Sequence, residues 1–186
     1  MLEQLLKWDR DTFIYLNGLG TENYDVFWST ITEITTWIPL FLLFVVLFFI
    51  KFSRRTAFFQ VLGMIALAGF ITLATHLTKI WLKRPRPCNE DTINSFIRIL
   101  KTPTDYSFFS GHASSSFALA TMAFLLLRKR VNWVWAFFLW PPLFAYSRIY
   151  VGVHYPMDII VGAVVGTLSG ILFYRFYLAA TAPDIG

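Results

Sequence analysis

The chain has 186 residues, of which 56% are hydrophobic and only 15% are charged. This apolar content exceeds the roughly 45–50% of soluble domains, so it excludes an ordinary soluble protein and predicts one membrane-embedded domain over residues 1–186. The net charge of +5 comes from basic residues at the ends of apolar runs. That placement indicates lipid headgroups or phosphate as partners, and no nucleic acid. Because Cys88 is the single cysteine, an intrachain disulfide and a cysteine-based zinc site are excluded.

The first predicted element is an interfacial amphipathic helix over residues 1–18. Apolar residues recur there at approximately helical spacing with charged residues between them, as in helices that lie along a membrane surface. Charged side chains interrupt any long uncharged core, so we expect the segment to be retained and not cleaved as a signal peptide. The helix should stop at Asn17-Gly18 and pack on the rest of the protein; a recognition role is the less favoured alternative.

Five apolar runs follow, and each predicts a spanning helix. The first joins residues 34–50 to the compatible stretch 26–32, with Pro39 in its outer part. The others cover residues 56–78, 108–127, 131–147 with Pro141 and Pro142 inside, and about 159–174. The predicted fold is therefore all-α, a polytopic membrane helix bundle with about five transmembrane helices plus the N-terminal interfacial helix.

Glycines recur at four-residue intervals in the last run, at Gly162, Gly166 and Gly170. Such a smooth ridge lets another helix approach closely, and we expect it to pack inside the bundle and not at a dimer interface. Five spans also place the long polar segment 79–107 and the junction 148–158 on the same side of the membrane. Once the expected site residues are set aside, basic residues barely distinguish the two sides, and we expect this side to be the outer face.

Three basic residues on the shared side predict a phosphate-binding cluster, because fixed cations stabilise the equatorial oxygens of a phosphoryl group. They are Lys79, Arg86 and Arg148. Considered singly, Lys79 and Arg148 equally suit side chains that reach from helix ends to lipid headgroups. That second interpretation is kept for Lys83 and Arg84.

Ser110, Gly111 and His112 stand at the start of the third span. Ser is a good N-cap, and free amides at a helix N-terminus attract an anion. His154 and Asp158 lie four residues apart, with Pro156 suited to the first helical turn between them. A carboxylate that holds one imidazole nitrogen leaves the other free to attack phosphorus, and His112 could then protonate the leaving oxygen and activate water. A solvated pair at a helix end remains open for His154 and Asp158 alone.

The remaining titratable residues are interpreted as structural. His76 is expected to pack or to make a local hydrogen bond, although it could line the cavity. Glu90, Asp91 and Asp105 are expected to form a surface charge cluster, since their spacing is unconvincing for metal ligands. We therefore predict no catalytic metal and no other cofactor.

Together the three stretches resemble the signature of the type 2 phosphatidic acid phosphatase family. Its first motif, Lys, six residues and Arg-Pro, is matched by Lys79, Arg86 and Pro87. Its second, Pro-Ser-Gly-His, is matched by Ser110, Gly111 and His112. Its third, Ser-Arg, five residues, His, three residues and Asp, is matched by Ser147, Arg148, His154 and Asp158. The motifs cover residues 79–158, and Phe109 replaces the usual proline, which should alter loop shape or lipid contact only.

This resemblance implies that His154 is the nucleophile, Asp158 its orienting partner and His112 the general acid and base. It implies that the phosphate is held by Lys79, Arg86, Ser110, Gly111 and Arg148. Relatives hydrolyse undecaprenyl diphosphate, phosphatidylglycerophosphate, phosphatidic acid or lipid A phosphates without a metal, on the outer face of the bacterial inner membrane. We expect the same reaction class and location, with undecaprenyl diphosphate as the preferred substrate. The alternatives are a non-catalytic protein that binds or moves lipids and a vanadate-dependent haloperoxidase.

Overall fold

The structure, a computed structural model, describes residues 1–181, and the regular elements within them are all helical. The α-helices of this region are α1 Leu2–Gly18, α2 Asp25–Ile31, α3 Ile38–Lys51, α4 Arg54–Leu82, α5 Gly111–Leu127, α6 Trp140–Tyr150 and α7 Pro156–Thr181. Short 3-10 helices cover Glu22–Tyr24, Ile34–Trp37, Pro87–Asn89, Asn94–Phe96 and Val134–Leu139. The all-α fold is confirmed, and α1 ends at Gly18 as predicted.

Within residues 1–181, three segments are long and apolar enough to cross a membrane: Ile34–Lys51, Arg54–Asn89 and Pro156–Thr181. They include the 34–50 part of the first predicted span, and the second and fifth predicted spans, which are continuous helices. The third predicted span corresponds to α5, which is apolar but has only 17 residues, and α6 has 11. The presence of exactly five spans therefore stays a prediction.

Prolines begin helices at two places where the sequence analysis put them inside spans. The predicted first span breaks at Thr32, so Pro39 lies in the first turn of α3. Pro141 and Pro142 likewise lie in the first turn of α6, which does not continue from Val131. Proline suits these positions because the first N–H groups of a helix have no intrahelical partner. The predictions of continuous helices over 26–50 and 131–147 were wrong for this reason.

Helix α5 is the centre of the described fold, with ten of its seventeen residues buried. It packs most extensively on α7, along the predicted glycine ridge. A Cβ atom at Gly166 would lie 2.2 Å from the Ser114 carbonyl oxygen, and one at Gly170 would lie 2.6 Å from that of Ala118. The two backbones can approach this closely only without those side chains. The prediction that the ridge packs inside the protein is confirmed.

We expect Gly166→Ala to destabilise the protein by about 1–3 kcal/mol, the range for overpacking a tight contact. The added methyl group would push α7 away from backbone atoms of α5 that cannot move aside. Gly69→Ala on α4 is the matched control, because a Cβ there meets nothing within 4 Å. Thermal unfolding in detergent should show a lower midpoint for Gly166→Ala only; equal midpoints would contradict the packing argument.

Candidate active site

The three sequence motifs meet where several helix ends come together. Lys79 lies in the last turn of α4, and Ser110 caps α5 by accepting a hydrogen bond from the Ala113 amide at 3.4 Å. Helix α7 begins at Pro156, as predicted. The Ser110 amide donates to the Asp158 carbonyl oxygen at 3.0 Å, which joins the second and third motifs directly.

A tight turn between α6 and α7 carries His154 back into the protein. Gly152 occupies this turn with φ of +84°, a region that favours glycine, and a Cβ there would lie 2.5 Å from the Arg98 carbonyl oxygen. The Val153 amide donates to the Arg148 carbonyl oxygen at 3.0 Å, which closes the turn. Arg148 and His154 are therefore held at a fixed separation, and both are buried.

The His154 ring is held from both sides. Its Nδ1 lies 3.2 Å from Asp158 Oδ2, and its Nε2 lies 3.0 Å from Arg86 Nη1. A guanidinium can only donate, so Nε2 accepts and the ring proton is on Nδ1, facing the carboxylate. Burial and the charges of Arg86 and Arg148 hold the pKa of His154 well below its usual value. The ring is thus neutral, with a nitrogen lone pair directed towards the cationic residues.

Asp158 is fully buried, and each of its carboxylate oxygens has a partner. Oδ2 accepts from the Tyr155 amide at 3.0 Å as well as facing His154, and Oδ1 accepts from Arg84 Nη1 at 2.8 Å. Arg84 also donates from Nη2 to Asp9 on α1 at 2.6 Å. The interpretation of Arg84 as a headgroup-reaching side chain was wrong, because two buried carboxylates bind it inside the protein.

Lys79 and Arg86 share one carboxylate, that of Asp105. Lys79 Nζ lies 2.6 Å from Oδ2, and Arg86 Nη2 lies 2.7 Å from Oδ1. Burial raises the pKa of Asp105, but the hydrogen bond from Lys79 and the charge of Arg86 outweigh it and lower that pKa to about 2. Asp105 is exposed, which agrees with the predicted surface position, but its ionic partners Lys79 and Arg86 make it part of the candidate site. Its carboxylate occupies an anion position between these two predicted phosphate-binding residues.

Thr32 connects the other two predicted site residues. Its Oγ1 accepts from Arg148 Nη1 at 2.5 Å, and its carbonyl oxygen lies 3.2 Å from His112 Nε2. Since a carbonyl only accepts, His112 Nε2 carries a proton and donates it. Among the side chains of residues 1–181, Arg148 Nε is one of a few buried donors without a partner. A phosphate oxygen would satisfy it.

Two cavities adjoin these residues, and His112 lines both. One of about 290 Å³ is lined by Lys79, Asp105 and Gly111, together with apolar Ile71 and Phe144. The other has a volume of about 520 Å³ and lies beside the polar loops. Its lining residues include Thr32, Glu33, Lys101, Thr102, Pro103 and Arg148. His112 therefore lies where a phosphate pocket and a space for the leaving group would meet.

The structure brings every predicted site residue into this region, and their catalytic roles stay predictions. Sequence reasoning missed Asp9, Thr32 and Asp105. Asp9 and Asp105 are acidic residues in segments otherwise assigned to the surface, and the break after Thr32 is signalled by Glu33 in an apolar run. His76 is exposed and lines the smaller cavity instead of packing. Across residues 1–181, no group of three His, Cys, Asp or Glu side chains is arranged to hold a metal ion.

Comparisons with known proteins agree with this arrangement. Residues 57–182 match the model of the PAP2 superfamily. The chain is 32% identical to a lipid A 4'-phosphatase of Bacteroides thetaiotaomicron, over 94% of this chain and 79% of that protein. It is 32% identical to an undecaprenyl-diphosphatase of Sulfolobus acidocaldarius, over 90% of this chain and 73% of that protein. Among solved structures, Aquifex aeolicus LpxE superposes with a TM-score of 0.65 at 28% identity, covering 89% of this chain and 93% of that one.

Proposed function

Because the chain belongs to the PAP2 superfamily and is an integral membrane phosphatase that hydrolyses lipid phosphates, we propose that it works through a phosphohistidine formed on His154. One observation carries the proposal. The neutral ring is fixed by Asp158 at Nδ1, while its unprotonated Nε2 faces Arg86. A nucleophile needs this combination of a free lone pair and adjacent cations that bind the electrophile.

In the first proposed step, His154 Nε2 forms a bond to phosphorus while the bond from phosphorus to the leaving oxygen breaks. The non-bridging oxygens are bound by the cations of Lys79, Arg86 and Arg148. Ser110 and Gly111, at the N-terminus of α5, bind the same oxygens. The negative charge of the bound phosphate favours the imidazolium form of His112, whose Nε2 gives its proton to the leaving oxygen and leaves a neutral ring; that oxygen replaces the Thr32 carbonyl as acceptor. In the second step His112 removes a proton from water, the water oxygen bonds to phosphorus, and the bond to His154 breaks.

For the substrate we propose a polyprenyl diphosphate such as undecaprenyl diphosphate. The leaving group of a diphosphate is itself an anion, and the larger cavity beside His112 contains Lys101 and Arg148. A lipid A 4'-phosphate is the second candidate, because that relative covers 94% of the chain. We propose the outer face of the bacterial inner membrane as the location of the site. The proposal needs no metal, since three cationic side chains supply the charge stabilisation.

Purified protein in detergent should release phosphate from a lipid phosphate in the presence of EDTA. A panel of undecaprenyl diphosphate, lipid A 4'-phosphate, phosphatidylglycerophosphate and phosphatidic acid tests the substrate, with the highest kcat/KM expected for the diphosphate. Loss of all activity with EDTA and its return with a divalent metal would overturn the metal-free mechanism. A higher kcat/KM for another panel member would reassign the substrate and leave the mechanism in place. Vanadate-dependent bromination without phosphate release would instead indicate the haloperoxidase reaction.

A further inference from the structure

Three charged residues form a row behind His154, on the side away from the proposed phosphate-binding cations, with the two carboxylates buried and Arg84 half-buried. Arg84 Nη1 donates to Asp158 Oδ1 at 2.8 Å, and Arg84 Nη2 donates to Asp9 Oδ2 at 2.6 Å. Asp9 is 1% exposed and Asp158 is 0% exposed. The guanidinium therefore links α1 to the carboxylate that contacts the predicted nucleophile.

The row is fixed at both ends by further contacts. Asp9 Oδ1 accepts a hydrogen bond from the Met157 amide at 2.8 Å, which holds α1 against the first turn of α7. The Arg84 guanidinium carbon lies 4.1 Å from the centre of the Tyr155 ring and over its face, so a cation–π contact adds to the two ion pairs. A planar fork with two carboxylate partners has little freedom to rotate.

This arrangement has a direct consequence for the ring of His154. A buried carboxylate stays ionised only when opposite charge or hydrogen bonds compensate for lost water. Arg84 supplies that compensation to Asp158, which can then accept a hydrogen bond from Nδ1–H of His154 and so keep the proton on Nδ1 and Nε2 unprotonated. Two carboxylates share one guanidinium, so the row also favours the positive charge that the ring gains when Nε2 bonds to phosphorus.

We propose that Arg84 and Asp9 are positioning residues for the reaction: they hold Asp158 ionised and oriented, and through it they set the tautomer of His154. The N-terminal helix α1 is on this account part of the catalytic unit, because it supplies Asp9. The inference rests on the proposed role of His154 as nucleophile. The charged groups that face Asp158 are Arg84 from the segment after α4, Asp9 from α1 and His154 from the turn before α7.

The variants that test this inference are Arg84→Met, Arg84→Lys and Asp9→Asn, with Asp11→Asn as the matched control. Asp11 is an exposed carboxylate on the same helix, so its substitution makes the same charge change away from the row. We expect kcat to fall by about 10- to 100-fold for Arg84→Met. This is the range found when a residue that orients a functional histidine without touching the substrate is removed, as at metal-binding histidines. KM should change little, because the phosphate-binding residues are untouched. Arg84→Lys should recover part of the loss, and Asp9→Asn should show a smaller loss.

The pH profile separates this role from a merely structural one. Without the guanidinium, Asp158 takes up a proton more readily, so the acid limb of kcat/KM should move to higher pH in Arg84→Met. The Asp11→Asn profile should match that of the parent protein. Unchanged kcat and unchanged profiles in Arg84→Met and Asp9→Asn would overturn the inference. A fall in kcat that is fully explained by less folded protein would also overturn it. The thermal midpoint in detergent shows whether a variant is destabilised.

A second readout does not depend on activity. The chain has three histidines, so a sample labelled with ¹⁵N at histidine gives few ring signals, which His76→Gln and His112→Gln assign. The parent protein should show His154 protonated at Nδ1 and unprotonated at Nε2, and Arg84→Met should lose this pattern. An unaltered tautomer in Arg84→Met would overturn the inference even in an active enzyme. A parent protein that releases no phosphate would instead overturn the proposed function.

Discussion

His154→Ala should lower the rate of phosphate release by about 10⁴- to 10⁶-fold, the scale seen when the nucleophile of a two-step hydrolase is removed. The alanine variant has no nitrogen that can bond to phosphorus, so the pathway through a covalent intermediate is lost. Lys79 and Arg148 remain, and their charges should preserve some binding of the lipid phosphate. The expected change is therefore in kcat far more than in KM.

The intermediate itself can be measured. With substrate labelled with ³²P in the transferred phosphoryl group, an alkaline quench should leave label on the parent protein, because a phosphorus–nitrogen bond on histidine survives alkali and breaks in acid. Label should be absent from His154→Ala. His76→Ala is the matched histidine removal and should keep the label: His76 is exposed and lines the smaller cavity, but among residues 1–181 it makes no hydrogen bond to a predicted site residue. Label retained by His154→Ala would place the covalent bond elsewhere.

His112→Ala should lower kcat by about 10²- to 10⁴-fold, the contribution of a positioned general acid and base. In this protein the reason is specific: His112 Nε2 carries a proton and directs it at the Thr32 carbonyl, at the junction of the two cavities. Without that proton a lipid leaving group must depart as an unprotonated oxyanion. Without the base, the attacking water keeps its proton.

A substrate with a good leaving group separates these two roles. With an aryl phosphate that leaves without protonation, His112→Ala should form the phosphohistidine almost normally but hydrolyse it slowly. A burst of the aryl alcohol should precede a slow steady state, and labelled protein should accumulate. Normal steady-state turnover of both aryl and lipid substrates by His112→Ala would contradict the assignment.

Much of the fold could be predicted from the sequence because apolar runs and helix stops are local signals. The 56–78 run predicted α4, the 159–174 run predicted α7, and the glycine ridge predicted that α7 packs closely inside the bundle. The errors came from prolines, which fit the first turn of a helix as well as the interior of a membrane span. The residues around each proline do not distinguish these two positions, so the start of each helix could not be predicted locally.

The candidate site was predictable where spacing carries the chemistry, as for His154 and Asp158. It was not predictable where a residue acts through partners far away in the chain. Asp9 and Asp158 are distant in sequence, and no local pattern says that Arg84 joins them. Asp105 lies in a polar loop whose path depends on contacts between residues far apart in the sequence. One of them is the hydrogen bond that Arg86 Nε donates to the Asp105 carbonyl oxygen at 2.9 Å.

Asp105 also has a consequence for turnover. Its carboxylate is attached to the protein, so it competes for Lys79 and Arg86 at a high effective concentration that dilution never lowers. If Lys79 and Arg86 bind the phosphate as proposed, inorganic phosphate would have to displace this carboxylate, whereas a lipid substrate would add the burial of its chains to the same exchange. On that proposal the product binds at a disadvantage that the substrate does not share, and Asp105 neutralises the two cations again when phosphate departs.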